Sequence, residues 1–187
     1  FSAGTYFNYP KTDDNPTILF FAPDYSSTAF APLNTQEEFS SLRSHSRFDG
    51  RTGKAATKAS FIEKTSNTGI VHITAHILVD SISPLSSALV FQPAVNYLLS
   101  ISEIWKLNIH AQLMTIAACK GNFGKQQGGE GMQNFAWAFH YAGADNVLST
   151  QWNASDKSTG QILSTFYQSL FSGTSKSEAL QSAKINY

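Results

Sequence analysis

Short β-rich hydrophobic runs alternate with amphipathic stretches along the chain, a pattern typical of a largely parallel sheet connected by helices. Strands are predicted at 17–23, 69–75, 113–118 and 146–151. Helices are predicted near 35–44, 57–66, 101–107, 131–142, 156–172 and 176–185. The fold class expected from this alternation is α/β.

Other local signals refine these elements. The polar segment 45–56 is assigned an extra edge strand at most, and "SALVF" at 87–91 predicts a small strand. Two helix starts show the capping-box pattern of Ser or Thr followed three residues later by Glu: Thr35 with Glu38, and Ser175 with Glu178.

Composition narrows the class of protein. The 187 residues are 42% hydrophobic, with 14 Phe, which suffices for one globular domain. Thirteen basic residues balance 13 acidic ones, so charge indicates neither nucleic acid nor a membrane surface as partner. No apolar run approaches the roughly 20 residues of a membrane span.

The chain contains a single cysteine and therefore no internal disulfide, which agrees with a reducing, cytoplasmic location. Its first residues lack an initiator Met and the basic-then-apolar order of a secretion signal. We therefore expect one domain, 1–187, that is the C-terminal part of a longer protein.

Two reactive residues follow directly on predicted strands. "GIVHITA" runs into His76, and "LMTIAA" runs into Cys119. In open α/β sheets, chemistry gathers beyond the carboxyl ends of the strands. If these two strands are parallel neighbours, His76 and Cys119 emerge at the same edge, which is the arrangement of a Cys/His dyad.

Such a dyad has a clear chemical logic. The thiolate is the attacking species, and an imidazole activates it and later protonates the leaving amine, so no metal or cofactor is needed. The backbone amides of Cys119 and Ile77 are the candidate oxyanion donors. Glycine-rich residues 121–131 after the cysteine allow a substrate backbone to approach closely.

Chain order separates families of cysteine peptidases. Papain-like enzymes place the cysteine first, whereas here His76 precedes Cys119 by 43 residues, near the roughly 50 of caspases. "AACKG" also approaches the caspase signature Q-A-C-[RQG]-G, but Ala117 and Lys120 depart from it. This motif by itself is weak.

Longer blocks make the resemblance specific. "IVHITAHILVDSISPLSSALVF", "LNIHAQLMTIAACKGNFGKQQGGEGMQNFAWAFHYAGADNVLSTQWNASDKSTGQIL", "FYQSLFSG" and "SKSEALQSAKINY" occur in the order typical of a CHAT domain. From about residue 17 to the end, the chain resembles this family of bacterial relatives of caspases and separases.

The resemblance implies a caspase-like three-layer αβα fold with a mostly parallel central sheet. It also implies peptide-bond hydrolysis by His76 and Cys119, and regulation by preceding tetratricopeptide repeats or by another partner. Ile77 stands where many relatives have Gly, and Lys120 with the two residues after it also departs from the usual pattern. These departures leave open a catalytically impaired interaction module.

Other site interpretations are weaker. His72 and His76 are separated by about 13 Å along a strand, too far to chelate one metal ion together, and His72 is expected to be a half-buried neighbour. The glycine-rich segment lacks the Gly-x4-Gly-Lys-Ser/Thr spacing of a nucleotide-binding loop. The segment "APDYSSTAFAP" after the first strand has no glycine, so a flavodoxin-type small-ligand sensor ranks last.

Three residues are candidates for substrate binding. Asp156 begins a predicted helix, so it either caps that helix or, as the resemblance to separases implies, receives a basic residue before the cleaved bond. Asp80, four residues past His76, is a second candidate acid or a solvated loop residue. Trp152 is a pocket wall or a core residue. The preferred function is a cysteine endopeptidase acting on a protein substrate.

Overall fold

A seven-stranded sheet forms the centre of the molecule. The computed structural model describes residues 16–120, 130–150 and 156–187, with the backbone alone at 67, 118–120, 130–134 and 156. The strands are β1 (Ile18–Ala22), β2 (Phe48–Thr52), β3 (Ile70–Leu78), β4 (Ala88–Val90), β5 (Leu98–Ser100), β6 (Leu113–Lys120) and β7 (Val147–Ser149). The helices are α1 (Gln36–Arg43), α2 (Lys58–Lys64), α3 (Ile101–Ile104), α4 (Glu130–Tyr141), α5 (Asp156–Phe171) and α6 (Lys176–Ile185).

Most neighbouring strands are parallel. β1 pairs in parallel with β2 and β3, and β6 pairs in parallel with β3 and β7. β4 and β5 form the antiparallel part. Because β6 follows one edge of β3 from Ile70 to Ile77, β1 and β4 share the opposite edge, with β1 beside the first half of β3 and β4 beside its end.

Helices cover both faces of the sheet. Alternate residues of a strand point to opposite faces, and here they enter two separate hydrophobic clusters. Ile18, Ile70 and Leu113 pack in the cluster that contains residues of α1, α5 and α6. Val71 and Met114 pack in the cluster that contains residues of α2, α3 and α4. The predicted three-layer αβα fold with a mostly parallel sheet is confirmed.

The strands that carry the candidate site are longer than predicted. β3 extends to Leu78 and β6 to Lys120, so His76 and Cys119 lie within strands rather than just after them. Cross-strand pairing explains the difference, because β4 pairs with residues 76–78 of β3, and β6 pairs with β3 as far as Lys120 opposite Ile77. β2 and β4 confirm the two uncertain strand assignments, whereas β5 was not predicted.

One of the two predicted capping boxes is wrong. Thr35 makes no side-chain capping bond, and Glu38 is 2% exposed and turns into the core instead. At the other, the serine half is confirmed, since the Ser175 hydroxyl oxygen accepts a hydrogen bond from the backbone N–H of Glu178, while the Glu178 carboxylate accepts from the Ser175 hydroxyl. Glu38 departs from the pattern because a buried partner on β3 competes for its carboxylate.

That partner belongs to a buried polar network on the α1/α5/α6 face. The Thr74 hydroxyl donates to Glu38 at 2.7 Å. His72 contacts the Thr74 oxygen at 3.0 Å through Nε2 and the Tyr167 oxygen at 2.9 Å through Nδ1. The Tyr167 hydroxyl donates to Thr115 at 2.7 Å. The network thus links α1, β3, β6 and α5 by hydrogen bonds that water does not reach.

Across the part of the chain that the structure describes, no helix combines the length and apolar character that crossing a membrane requires.

Replacing Glu38 should weaken the fold, because the buried Thr74 hydroxyl would lose its acceptor. We expect Glu38→Ala to lower the free energy of unfolding by about 2–3 kcal/mol, measured by urea denaturation. Glu37→Ala is the matched control, since Glu37 is the adjacent, exposed residue of the same helix. Its effect should stay within about 0.5 kcal/mol. Equal losses in the two variants would contradict a structural role for the network.

Candidate active site

The register between β3 and β6 brings the two predicted reactive residues together. Eight consecutive residue pairs run from Ile70 opposite Leu113 to Ile77 opposite Lys120, and His76 stands opposite Cys119. Residues paired in adjacent strands occupy the same face of a sheet. Positions 76 and 119 are therefore neighbours on the α1/α5/α6 face, near the carboxyl ends of both strands.

The imidazole of His76 is held in one orientation. The side chain is 2% exposed, and its Nε2 lies 2.7 Å from the backbone oxygen of Ala31. The Phe30 ring stacks on it at a centroid distance of 5.3 Å and an angle of 22°. Tyr25 contacts it edge-on at 4.6 Å. The ring therefore cannot rotate without breaking a hydrogen bond and two aromatic contacts.

The Ala31 contact determines which nitrogen carries the proton. A backbone carbonyl can only accept, so Nε2 must donate, and in the neutral ring Nδ1 is left with the lone pair. Among the atoms that the structure describes, Nδ1 of His76 is buried without a hydrogen-bond partner. A neutral imidazole nitrogen with a free lone pair can accept a proton from a nearby thiol.

These neighbours of His76 come from residues 23–34, the segment after β1, for which the sequence predicted no role in the site. Tyr25, Phe30 and Ala31 lie 45–51 residues before the histidine in sequence. One sequence signal indicated these residues: the aromatic-containing segment follows directly on the first strand. Because that strand is parallel to β3, the segment begins at the edge of the sheet where β3 ends.

The other histidine of β3 is occupied by protein contacts. His72 is 0% exposed, so the expectation that it would be half-buried was wrong. Helix α5 explains the difference, since its Tyr167 packs against the ring. Both ring nitrogens contact hydroxyl groups. Among the described residues, no three His, Cys, Asp or Glu side chains lie close enough to hold one metal ion.

The backbone position of Ile77 bears on the departures noted in the sequence. Its side chain is 2% exposed and packs in the cluster on the α2/α3/α4 face, opposite the face of His76. Having Ile rather than Gly here therefore adds no bulk beside His76. Its backbone pairs with Leu89 on one side and Lys120 on the other.

The structure describes the three candidate substrate-binding residues to different extents. Asp80 lies in the loop after β3, where one carboxylate oxygen accepts from the amides of Ile82 and Ser83 at 2.9 and 2.8 Å. This carboxylate therefore stabilises its own loop. Asp156 is the first residue of α5, described by its backbone alone. Trp152 and residues 121–129 lie outside the described part of the chain.

Comparison with known proteins identifies the family of the chain. A search of curated proteins gave no match. The family model for the CHAT domain matches residues 11–187, a range that contains the sheet, all six helices and the paired positions 76 and 119. The chain belongs to the CHAT domain family.

Proposed function

We propose that this domain is a cysteine endopeptidase that hydrolyses a peptide bond in a protein substrate through a dyad of His76 and Cys119. The observation that carries the proposal is the register of the two central strands, which pairs these positions. The second support is Nδ1 of His76, which is expected to carry a free lone pair. A dyad requires a ring nitrogen that can accept the thiol proton.

The proposed reaction begins with transfer of the Cys119 proton to Nδ1 of His76. The thiolate attacks the carbonyl carbon of the scissile bond and forms a tetrahedral intermediate. The imidazolium then protonates the leaving amine, and an acyl-enzyme remains. Water, deprotonated by the neutral imidazole, attacks the thioester and releases the new carboxyl terminus together with the thiol.

Backbone groups assist these reaction steps. The Ala31 carbonyl accepts from Nε2 throughout, so it holds the ring and stabilises the positive charge that develops on it. We propose the amides of Cys119 and Ile77 as donors to the oxyanion. Losing one such donor typically costs about 3–4 kcal/mol of transition-state stabilisation.

The alternative function is a caspase-like interaction module without catalysis. Its basis in the sequence was Ile77 and the altered residues after the cysteine. Ile77 packs on the face opposite His76, so its side chain does not crowd the imidazole. The alternative predicts partner binding that does not depend on Cys119.

We propose a protein substrate, regulation by N-terminal tetratricopeptide repeats or another partner, and a cytoplasmic location, which suits a free catalytic thiol. The mechanism draws every proton and bond from the chain, the substrate and water, so it calls for no cofactor. Asp156, with Trp152, is the proposed contact for a basic residue before the cleaved bond.

A covalent probe tests the dyad. A peptidyl acyloxymethyl ketone should label the wild-type protein and fail to label Cys119→Ala. Peptide cleavage should fall by on the order of 10³-fold or more in Cys119→Ala and in His76→Ala. His110→Ala is the matched control, because His110 is exposed and should leave labelling and cleavage unchanged.

The same probe distinguishes the two functions. If wild-type protein is never labelled, either alone or within the full-length protein and its partner complex, the peptidase proposal is wrong. Partner binding retained in Cys119→Ala would then favour the interaction module.

Substrate preference tests Asp156 against Asp80. With fluorogenic peptides, Asp156→Asn should lower the ratio of kcat/KM for basic over neutral residues before the cleaved bond by roughly 30-fold, equivalent to about 2 kcal/mol. Asp80→Asn should leave that ratio unchanged, because an amide oxygen can still accept from the amides of Ile82 and Ser83. The reverse result would assign the basic-residue contact to Asp80.

A further inference from the structure

The edge of β3 changes partner just before His76. β1 pairs with β3 up to Ile73, whereas β4 pairs with it only from His76 onward. Where facing residues of an antiparallel pair form hydrogen bonds, they bond directly through backbone N–H and C=O groups. At the junction between β1 and β4, the backbone of β3 therefore needs a hydrogen-bond partner from another part of the chain.

A tyrosine hydroxyl occupies this junction. His76 and Val90 face each other in the β3–β4 pair, yet the His76 N–H donates to the Tyr25 hydroxyl oxygen at 3.3 Å. The same hydroxyl donates to the Val90 carbonyl. Tyr25 thus connects the donor of one strand to the acceptor of the other, as a ladder hydrogen bond would.

The hydroxyl is suited to hold this position. Tyr25 is 2% exposed, and burial raises its pKa well above the ordinary tyrosine value, although the hydrogen bond from the His76 backbone opposes the rise. The phenol therefore keeps its proton at working pH and donates a hydrogen bond to the Val90 carbonyl oxygen. Its oxygen is left to accept from His76, so each group has one role.

The same side chain also contacts the imidazole. The Tyr25 and His76 rings meet edge-on with centroids 4.6 Å apart and an interplanar angle of 60°. The Tyr25 ring also packs against the Phe30 ring, with centroids 5.6 Å apart, and the Phe30 ring stacks on the imidazole. One residue of the loop after β1 therefore restrains both the main chain and the ring of the histidine.

We propose that Tyr25 is a positioning residue for His76, an inference that rests on the proposed peptidase reaction and adds a residue to it. Its hydroxyl sets the main-chain position of His76 at the junction, and its ring limits rotation of the imidazole. Without the hydroxyl, β4 must move toward β3 or leave two buried polar groups unpaired. Movement of the strands displaces Nδ1 relative to the backbone of position 119, and the cost of the unpaired groups favours such movement. A misplacement of about 1 Å can cost roughly 100-fold in rate.

Two matched variants separate positioning from general stability. Tyr25→Phe and Tyr167→Phe each remove one buried hydroxyl and its two hydrogen bonds to neighbouring groups. Tyr167 contacts His72 rather than His76. Both variants should lower the denaturation midpoint. Only Tyr25→Phe should lower kcat, by roughly 10- to 100-fold with KM within about twofold.

Long-range ¹H–¹⁵N spectra of the histidine rings give a readout that needs no activity. Recorded in a Cys119→Ala background, they should show His76 as the Nε2–H tautomer. The His76 signals should change in Tyr25→Phe but not in Tyr167→Phe, which should change the His72 signals instead. If this pattern appears while the wild-type protein never cleaves or binds the probe, Tyr25 still positions His76 and only the proposed function fails.

Unchanged kcat and an unchanged His76 spectrum in Tyr25→Phe would overturn the proposal, as would a loss confined to KM. Amide hydrogen exchange of the unaltered protein provides a test should Tyr25→Phe not fold. The His76 amide should exchange slowly, as expected for a buried hydrogen bond to Tyr25. Exchange as fast as that of an exposed loop amide would also overturn it.

Discussion

The parallel register between β3 and β6 is the constraint on which the rest of the arrangement depends. A shift of one residue would move every side chain of a strand to the other face, so His76 and Cys119 can share a face only in a matching register. Apolar residues hold this register from both sides, because Ile70 with Leu113 and Val71 with Met114 enter opposite clusters. Formation of the core and alignment of the candidate dyad are therefore the same event.

Two histidines on one face of β3 show how burial distinguishes structural from chemical roles. His72 is enclosed by α1 and α5, and both of its nitrogens contact hydroxyl groups within a network that ends at Glu38 and Thr115. His76 lies nearer the strand end, where a loop provides one acceptor and two aromatic rings. The difference lies in what packs over each residue rather than in residue type.

Several elements were predictable because their signals are local. The four main strands and six helices follow from hydrophobic spacing, and the cap at Ser175 follows from two residues in one turn. The capping box at Thr35 failed because Glu38 hydrogen-bonds to Thr74, which lies 36 residues away. β5 was missed because three residues that pair only with a short neighbour leave no periodic signal.

For the candidate site, the sequence alone determined the residue types, their order along the chain and their attachment to two apolar strands. Those features suffice to predict the pair His76 and Cys119, because hydrophobic runs and residue spacing are local properties. The family was indicated by the resemblance of longer sequence blocks. Only the tertiary structure decided that His76 lies inside β3, which ring nitrogen is free, and that Tyr25, Phe30 and Ala31 surround the ring. These depend on the path of a loop that approaches β3 across the sheet edge, and contacts between distant segments leave no periodic trace in the sequence.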